Sequence, residues 1–203
     1  MNVNKSIASK DDVRAGILQA SLALMNEGGL GALSMREVAR RAGVSHQAPY
    51  HYFQDREAIL AELAGDGFDK LYDYMVSALG QAKNKAHKVQ LLGEAYVRFA
   101  LNNPEVFKLM FRCEMCDLSR YPEAKAKADR AFETLAKTLG ASGSAVDKAS
   151  PDLAPVIACW SMAHGLATLL LEGKIGTQLG ETRDQKEAAA RRIIEVYARA
   201  FRD

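Results

Sequence analysis

The side chains best equipped for recognition chemistry in this sequence lie close together. Ser45, His46, Gln47 and His51 fall in one short segment, with Tyr50, Tyr52 and Arg56 beside them. A carboxamide such as that of Gln47 can pair bidentately with an adenine edge, and hydroxyl and imidazole groups read the donor and acceptor pattern of the DNA major groove. Tyrosine hydroxyls and a guanidinium suit phosphate oxygens, which position a protein without reading sequence. Upstream, Ser34 can hold another phosphate at a helix N-terminus, with Arg36, Arg40 or Arg41 adding charge. Each group also has a plainer role open to it: Ser34 and Ser45 as helix caps, Tyr52 and Phe53 as core aromatics, His46 as a solvated surface residue. A second constellation is the CEMC string, Cys113 to Cys116. Thiols at this spacing exchange disulfides or bind zinc. No strand precedes them and no second CxxC or histidine cluster completes a metal site, so an incidental pair is favoured and no metal is expected. Thiol sensing by Cys113 and Cys116 stands as the alternative function.

For the first constellation to read DNA, two short helices must meet at a tight turn, and the local signals supply them. A helix is expected over 11–26, with Asp11 and Asp12 at its positive end and Gly28-Gly29 stopping it. Ser34-Met35-Arg36-Glu37 has the form of a capping box, which starts a short second helix ending near Ala42. Gly43 can take the left-handed conformation of a tight turn, and Ser45 can cap a third short helix reaching about Tyr52. Pro49 lies early in that helix, where a missing N–H costs little. Two short helices around a glycine turn form a helix-turn-helix, whose second helix enters the major groove.

Beyond Asp55, a cap, the apolar positions Ile59, Leu63, Phe68, Leu71, Tyr72 and Met75 mark a long helix to Leu79. Further helices follow: one carrying Val89 to Phe99, two opened by Pro104 and Pro122, a very apolar one over 155–172, and a last amphipathic one starting at Thr182 or Asp184 and bearing Ala189, Ile193, Val196, Tyr197 and Ala200. The expected fold is all-α with about nine helices. Residues 1–55 form the DNA-binding part, and 56–203 a larger helical domain. The 155–172 helix is expected to be buried, and too short and interrupted to cross a bilayer.

The bulk properties agree. The 203 residues allow a small module beside a larger one, and a formal charge of +2 neither demands nor excludes nucleic acid. Three cysteines and an N-terminus without an apolar leader lead us to expect a cytoplasmic protein with no disulfide framework and no membrane partner. The absence of a P-loop, GxSxG or HExxH argues against an enzyme, and no cofactor is expected.

The string SMREVARRAGVSHQAPYHYFQDREAIL resembles the DNA-binding module of the TetR/AcrR family of bacterial regulators, over about residues 13–63. The resemblance implies that His46, Gln47 and Ala48 face base edges and that Ser34, Tyr50, Tyr52 and Arg56 approach phosphates. Arg56 stands where lysine is more usual, and Pro49 where an aliphatic residue is common. WSMAHGL, carrying Trp160, His164 and Gly165, resembles the Trp-His-Gly signature of one branch of that family, and NPEVFKLMF is similar to the sixth-helix region of such regulators.

The resemblance implies a repressor that binds operator double-stranded DNA as a homodimer through the last two helices and is released by a small-molecule effector. The expected effector-lining residues are Phe68, Tyr72, Tyr96, Phe99, Phe107, Met110, Phe111, Trp160 and His164, an apolar set with Tyr and His as polar handles. The Trp160 and His164 pair, one turn apart, also suits ordinary core packing, with Gly165 allowing close helix approach.

Overall fold

The computed structural model describes residues 10–112, 114–141, 153–173 and 175–201. Among these the chain is all-helical, without strands. Nine α-helical segments form among the described residues, eight of seven residues or more and one a single turn: α1 (Lys10–Gly28), α2 (Met35–Ala42), α3 (Arg56–Leu79), α4 (Lys85–Asn102), α5 (Pro104–Met110), α6 (Pro122–Thr138), α7 (Leu153–Leu171), the single turn α8 (Gly176–Leu179) and α9 (Arg183–Ala198).

The chain's punctuation explains most of these boundaries. α1 stops at Gly28, and Gly29 turns the chain at φ 69°. Ser34 Oγ accepts the Glu37 amide at 3.3 Å, but the Glu37 carboxylate turns to Arg40 Nε at 2.9 Å, so the expected capping box is only half formed. α2 ends as the Gly43 turn requires. Gly43 sits at φ 69° and ψ 27°, its amide donates to the Arg40 carbonyl, and the Val44 amide donates to the Ala39 carbonyl, completing a Schellman motif. Asp55 caps α3 by accepting the Ala58 amide at 2.9 Å, and Pro104 and Pro122 open α5 and α6. α9 begins with a full capping box, in which Thr182 and Gln185 each accept the other's backbone amide.

The third helix of the N-terminal module departs from expectation. No α-helix forms between Ser45 and Tyr52; the segment is a 3-10 turn over Ala48–His51. Its bonds run three residues back, from Ala48 to Ser45, Tyr50 to Gln47 and Tyr52 to Pro49. Pro49 has no amide hydrogen to extend an α-helical ladder, and its ring is fully buried against the module. Ser45 therefore contributes its backbone carbonyl to the turn.

α3 is the long axis of the fold. Ile59, Leu60 and Leu63 are buried in its first half, and Phe68, Leu71 and Met75 in its second, within one apolar cluster running from Ile17 of α1 to Ile194 of α9. Each such side chain contributes about 1.5–3 kcal/mol on burial. α4 packs against α3, α7 and α9, burying Val97, Phe99 and Ala100 almost completely.

Two helices are less buried than their composition suggests. α7 turns Val156, Cys159, Leu166, Ala167 and Leu170 inward but leaves Ile157, Met162 and Leu169 at 43%, 45% and 41% exposure. It is also long and apolar enough, by length and composition alone, to cross a bilayer, which corrects the expectation that it is too short. Gly165 does not mediate a close approach within the chain, since a β-carbon there meets nothing within 4 Å. On α9, Ala190, Ile194 and Ala198 face inward with Ala189, whereas Val196 is 67% exposed; Ala200, in the 3-10 turn after α9, is also exposed.

Close approach occurs instead at Gly67, where α3 meets α5. A β-carbon there would lie 2.5 Å from Val106 Cγ1 and 2.8 Å from Met110 Sδ. The Gly67→Ala variant is expected to lose about 1–2 kcal/mol of stability, because overpacking outweighs the roughly 1 kcal/mol gain in helix propensity. Urea denaturation checks this, and an unchanged or higher midpoint would refute it.

Candidate functional site

The N-terminal module presents a polar face. Ser34 and Arg36 at the start of α2, and Ser45, His46, Gln47, Tyr50 and His51 around the 3-10 turn, are all exposed. The rings of His46 and Tyr50 lie 6.1 Å apart on this face. Ala48 is half-buried, and Tyr52 is half-buried with its ring packed on the core, adopting the plainer of its two roles. The face carries exposed Arg36 and Arg40, and its nearest acid, Glu37, is held by Arg40 with its carboxyl below the usual range. The arrangement offers base-pairing groups at the tip and cations and a helix N-terminus at the side, as binding to a polyanionic duplex requires.

Arg56 is not part of that free face. Its Nε donates to the Leu33 carbonyl at 2.8 Å and its Nη2 to the Leu30 carbonyl at 2.6 Å, so the guanidinium ties the start of α3 to the loop before α2. The neighbouring Glu57 reaches the opposite way, pairing with Arg120 at 2.8 Å and accepting the Asp117 amide at 3.3 Å. The first turn of α3 is thus clamped to the N-terminal module on one side and to the segment before α6 on the other.

Cys113 lies outside the described residues. Cys116 is buried, and its thiol is pushed up to about 11 by burial and by the Glu57 carboxylate. A thiol so protonated is a poor nucleophile at neutral pH, and the geometry gives thiol sensing no support. No cluster of three or more metal-ligating side chains occurs among the described residues.

The larger domain holds a cavity of about 360 Å³ that is partly open to solvent. Phe68, Leu71 and Met75 of α3 form one wall; Val89, Leu92, Gly93 and Tyr96 of α4 a second. Ala131, Phe132 and Leu135 of α6 and Phe111 form a third, and α7 and α9 add Cys159, Trp160, Ala163, Ile193, Ile194 and Tyr197, with the exposed Met162 at its open side. Asp129 is its single charged lining residue, and it is already paired with Lys125. Four of the expected residues, Phe68, Tyr96, Phe111 and Trp160, line this space. The structure places the other five off its wall. Phe99 is fully buried against the rings of Tyr74 and Phe107, and Met110 packs under Gly67. Tyr72 lies outside, beneath the Arg130 guanidinium at 4.4 Å. Phe107 and His164 stack on each other behind the wall, their ring centroids 5.3 Å apart.

Helical spacing alone does not identify which aromatic side chains border empty space. The sequence gives no signal for the lining from α6 and α9, Tyr197 above all, because an apolar face on a last helix reads equally as core or interface.

Polar groups lie beside this cavity in two places. The Tyr96 hydroxyl accepts from Trp160 Nε1 at 3.3 Å and lies 2.8 Å from His164 Nδ1. Burial lowers the His164 pKa, so the ring is neutral, and the arrangement that uses every hydrogen has Tyr96 donating to Nδ1 with the imidazole proton on Nε2. The Tyr197 hydroxyl is also buried but lacks a hydrogen-bond partner, with only the Cys159 thiol, a weak one, beside it.

Known proteins share both halves of this architecture. Residues 89–197 match the family model described as the tetracyclin repressor-like C-terminal domain, and residues 17–63 match that of the bacterial regulatory proteins of the tetR family. An uncharacterized HTH-type transcriptional regulator, YobS of Bacillus subtilis, is 28% identical over 92 residues, which are 45% of this chain and 48% of YobS. The chain spans under half the length of the curated relatives it matches. Among solved structures, a protein of unknown function from Rhodococcus sp. RHA1 superposes with a TM-score of 0.76 at 24% identity, covering 98% of both chains. The TetR family transcriptional regulator PfmR from Thermus thermophilus superposes at 0.64 and 24% identity, covering 92% of this chain and 99% of its own.

His164 makes stability depend on pH. Its folded pKa is depressed, so the unfolded chain binds the proton more readily, and stability falls as pH drops below about 6.5. The His164→Gln variant is expected to lose less stability than wild type between pH 7.5 and 5.5 in paired thermal melts. Equal losses in the two proteins would contradict the burial argument.

Proposed function

Because the chain belongs to the TetR family of transcriptional regulators, we propose that it acts as a sequence-specific repressor, a cytoplasmic homodimer that leaves its operator when a small molecule fills the cavity. Residues 1–55 read DNA, and 56–203 bind the effector and pair the subunits. The observation that carries the reading is the exposed cluster of Ser45, His46, Gln47, Tyr50 and His51 on a turn braced by the buried Pro49 ring and flanked by Ser34 and Arg36. In this reading Gln47, with His46 and Ala48, faces the bases, while Ser34, Arg36 and Tyr50 meet phosphates. Tyr52 and Arg56 support the interface from behind.

Dimerisation is supported by the faces that α7 and α9 leave uncovered. Ile157, Met162 and Leu169 lie with Ala154, Ala158 and Ser161 along one exposed side of α7, and Val196 adds an apolar group on α9. Burying such a stripe against its symmetry mate gives a four-helix contact and places two reading modules on one duplex. The cavity, lined by Phe68, Tyr96, Phe111 and Trp160, takes the effector.

α3 couples the two functions, since Phe68, Leu71 and Met75 line the cavity while Arg56 and Glu57 clamp the same helix to both neighbouring segments. Operator binding requires the two modules about 34–36 Å apart, or a multiple of that, so a small tilt of α3 disfavours it. The effector acts only by preferring the released geometry.

Operator selection from random DNA, followed by titrations at several salt concentrations, tests this reading; binding without sequence preference would end it. Gln47→Ala is expected to relax preference at one base position by about 1–3 kcal/mol, and Arg36→Ala to weaken all sequences and reduce the salt slope by about one. Arg56→Ala should lower stability by about 2–3 kcal/mol with the salt slope unchanged, since its bonds are internal. For the dimer, light scattering should show wild type as two chains, and Ile157→Asp with Leu169→Asp should give a folded monomer that has lost operator affinity. A monomeric wild type would remove the dimer from the reading.

A further inference from the structure

The cavity is hydrocarbon within and charged only at its open side. Resting on the effector reading above, we propose that it takes a single-chain amphiphile, its apolar chain lying in the cavity and its head group staying in water at the mouth between α6 and α7.

The interior fixes where the chain goes. Leu71, Met75, Val89 and Leu92 are buried on the wall and offer only hydrocarbon and a thioether. Tyr96 spends its hydrogen on His164 and accepts from Trp160, and the Tyr197 hydroxyl is sealed against the Cys159 thiol, so neither phenol holds out a hydrogen to an occupant. Apolar contact is therefore what the interior supplies. Taking roughly 30 Å³ for each non-hydrogen atom, 360 Å³ accommodates a chain of about a dozen carbons.

The mouth fixes where the head goes. α6 packs mainly on α3 and α7 mainly on α4, so the two helices meet each other along a thin seam. The Phe132 and Trp160 rings, 5.9 Å apart, bridge it. Asp129 lies one turn before Phe132, and Met162 two residues after Trp160. Both line the cavity and both reach solvent, Met162 at 45% exposure and the Asp129 side chain at 48%. Lys125 Nζ lies 2.7 and 2.5 Å from the two Asp129 oxygens. A head group at this position keeps its water, so a charge on it carries little penalty. An exposed pair of this kind is held by no more than about a fivefold preference, so either partner can turn to a ligand. The carboxylate then meets a cationic head and the ammonium an anionic one. Chain length, rather than head charge, decides affinity.

Trp160 is the chain's one tryptophan and borders the cavity, so its fluorescence reports occupancy directly. Titrations at pH 7, below the micelle concentrations, compare decanoate, decyltrimethylammonium and decyl maltoside, which put anionic, cationic and bulky neutral heads on one chain. Hexanoate and hexyltrimethylammonium are the short counterparts. Each buried methylene is worth roughly fourfold, so the ten-carbon ions are expected to bind about fiftyfold or more tightly than the six-carbon ones. The three ten-carbon probes should fall within about fivefold of one another. Lys125→Gln should shift preference towards the cationic ten-carbon probe by about threefold or more, and Asp129→Asn towards the anionic one, as a head at the mouth requires. Ala163→Phe and Ala128→Leu, which fill the cavity from α7 and α6, should each weaken decanoate about tenfold or more, with their folding checked by thermal melts. A chain-length gain below about tenfold, exclusion of the maltoside, or head preferences indifferent to Lys125 and Asp129 would overturn the proposal. So would undiminished binding in both filled variants, or no saturable response to any probe. Operator release is measured separately on the same samples. Probe binding in the expected order without release would refute the effector reading while leaving the cavity's ligand class intact.

Discussion

One helix has to satisfy two environments at once. α3 buries Ile59, Leu60 and Leu63 near its start and Phe68, Leu71 and Met75 further on, all within the same continuous apolar cluster. A helix of 24 residues is about 36 Å long, so any change in its tilt at one end is carried to the other. Its first turn is held by Arg56 to two backbone carbonyls and by Glu57 to the segment before α6. These bonds give the orientation of the N-terminal module a definite relation to the packing around the cavity. Gly67 admits α5 to the same helix at a distance that no larger residue tolerates without a shift.

The turn after α2 illustrates how backbone chemistry leaves side chains free. The Schellman motif at Gly43 ends α2, and the 3-10 bonds through Ala48, Tyr50 and Tyr52 satisfy the following amides. Pro49 fills the inner side. Ser45, His46 and Gln47 consequently point to solvent without being needed for the fold. The charge of the surrounding face depends on internal pairing: Arg40 is committed to Glu37, Arg41 to Glu27 and Arg56 to carbonyls, while Arg36 is exposed.

In the larger domain, polar groups are few and their partners decide what they can do. The Trp160, Tyr96 and His164 chain is internally satisfied and rigidifies the wall between α4 and α7. Tyr197 on α9 has only the Cys159 thiol beside its sealed hydroxyl. The outer side of α7 shows the same economy at larger scale. The core needs only one of its faces, so Ile157, Met162 and Leu169 remain exposed on a single chain.

Most of the helical boundaries are readable directly because they rest on local chemistry. Gly28-Gly29, Gly43, Asp55, Pro104 and Pro122 act through φ preferences, missing donors or caps within a few residues, and each appears where those properties require. The Thr182 and Gln185 box is equally legible, as a T-x-x-Q pattern, and fixes which of two candidate starts α9 uses. The exposure of Ser45, His46 and Gln47 is legible for the same reason, since a short turn leaves little choice of side-chain direction. Tertiary structure alone decided the rest. Whether Arg56 meets solvent or the carbonyls of Leu30 and Leu33 depends on a loop more than twenty residues away in the chain. Whether Phe99 or Tyr197 borders the cavity depends on how five helices converge, and periodicity marks an inward face without saying what lies opposite it. For the recognition segment, the sequence by itself determined the polar groups and the glycine turn. Only packing against its neighbouring helices decided that it is a proline-braced 3-10 turn with Arg56 drawn behind it, because hydrogen bonds over long separations are settled by which surfaces meet.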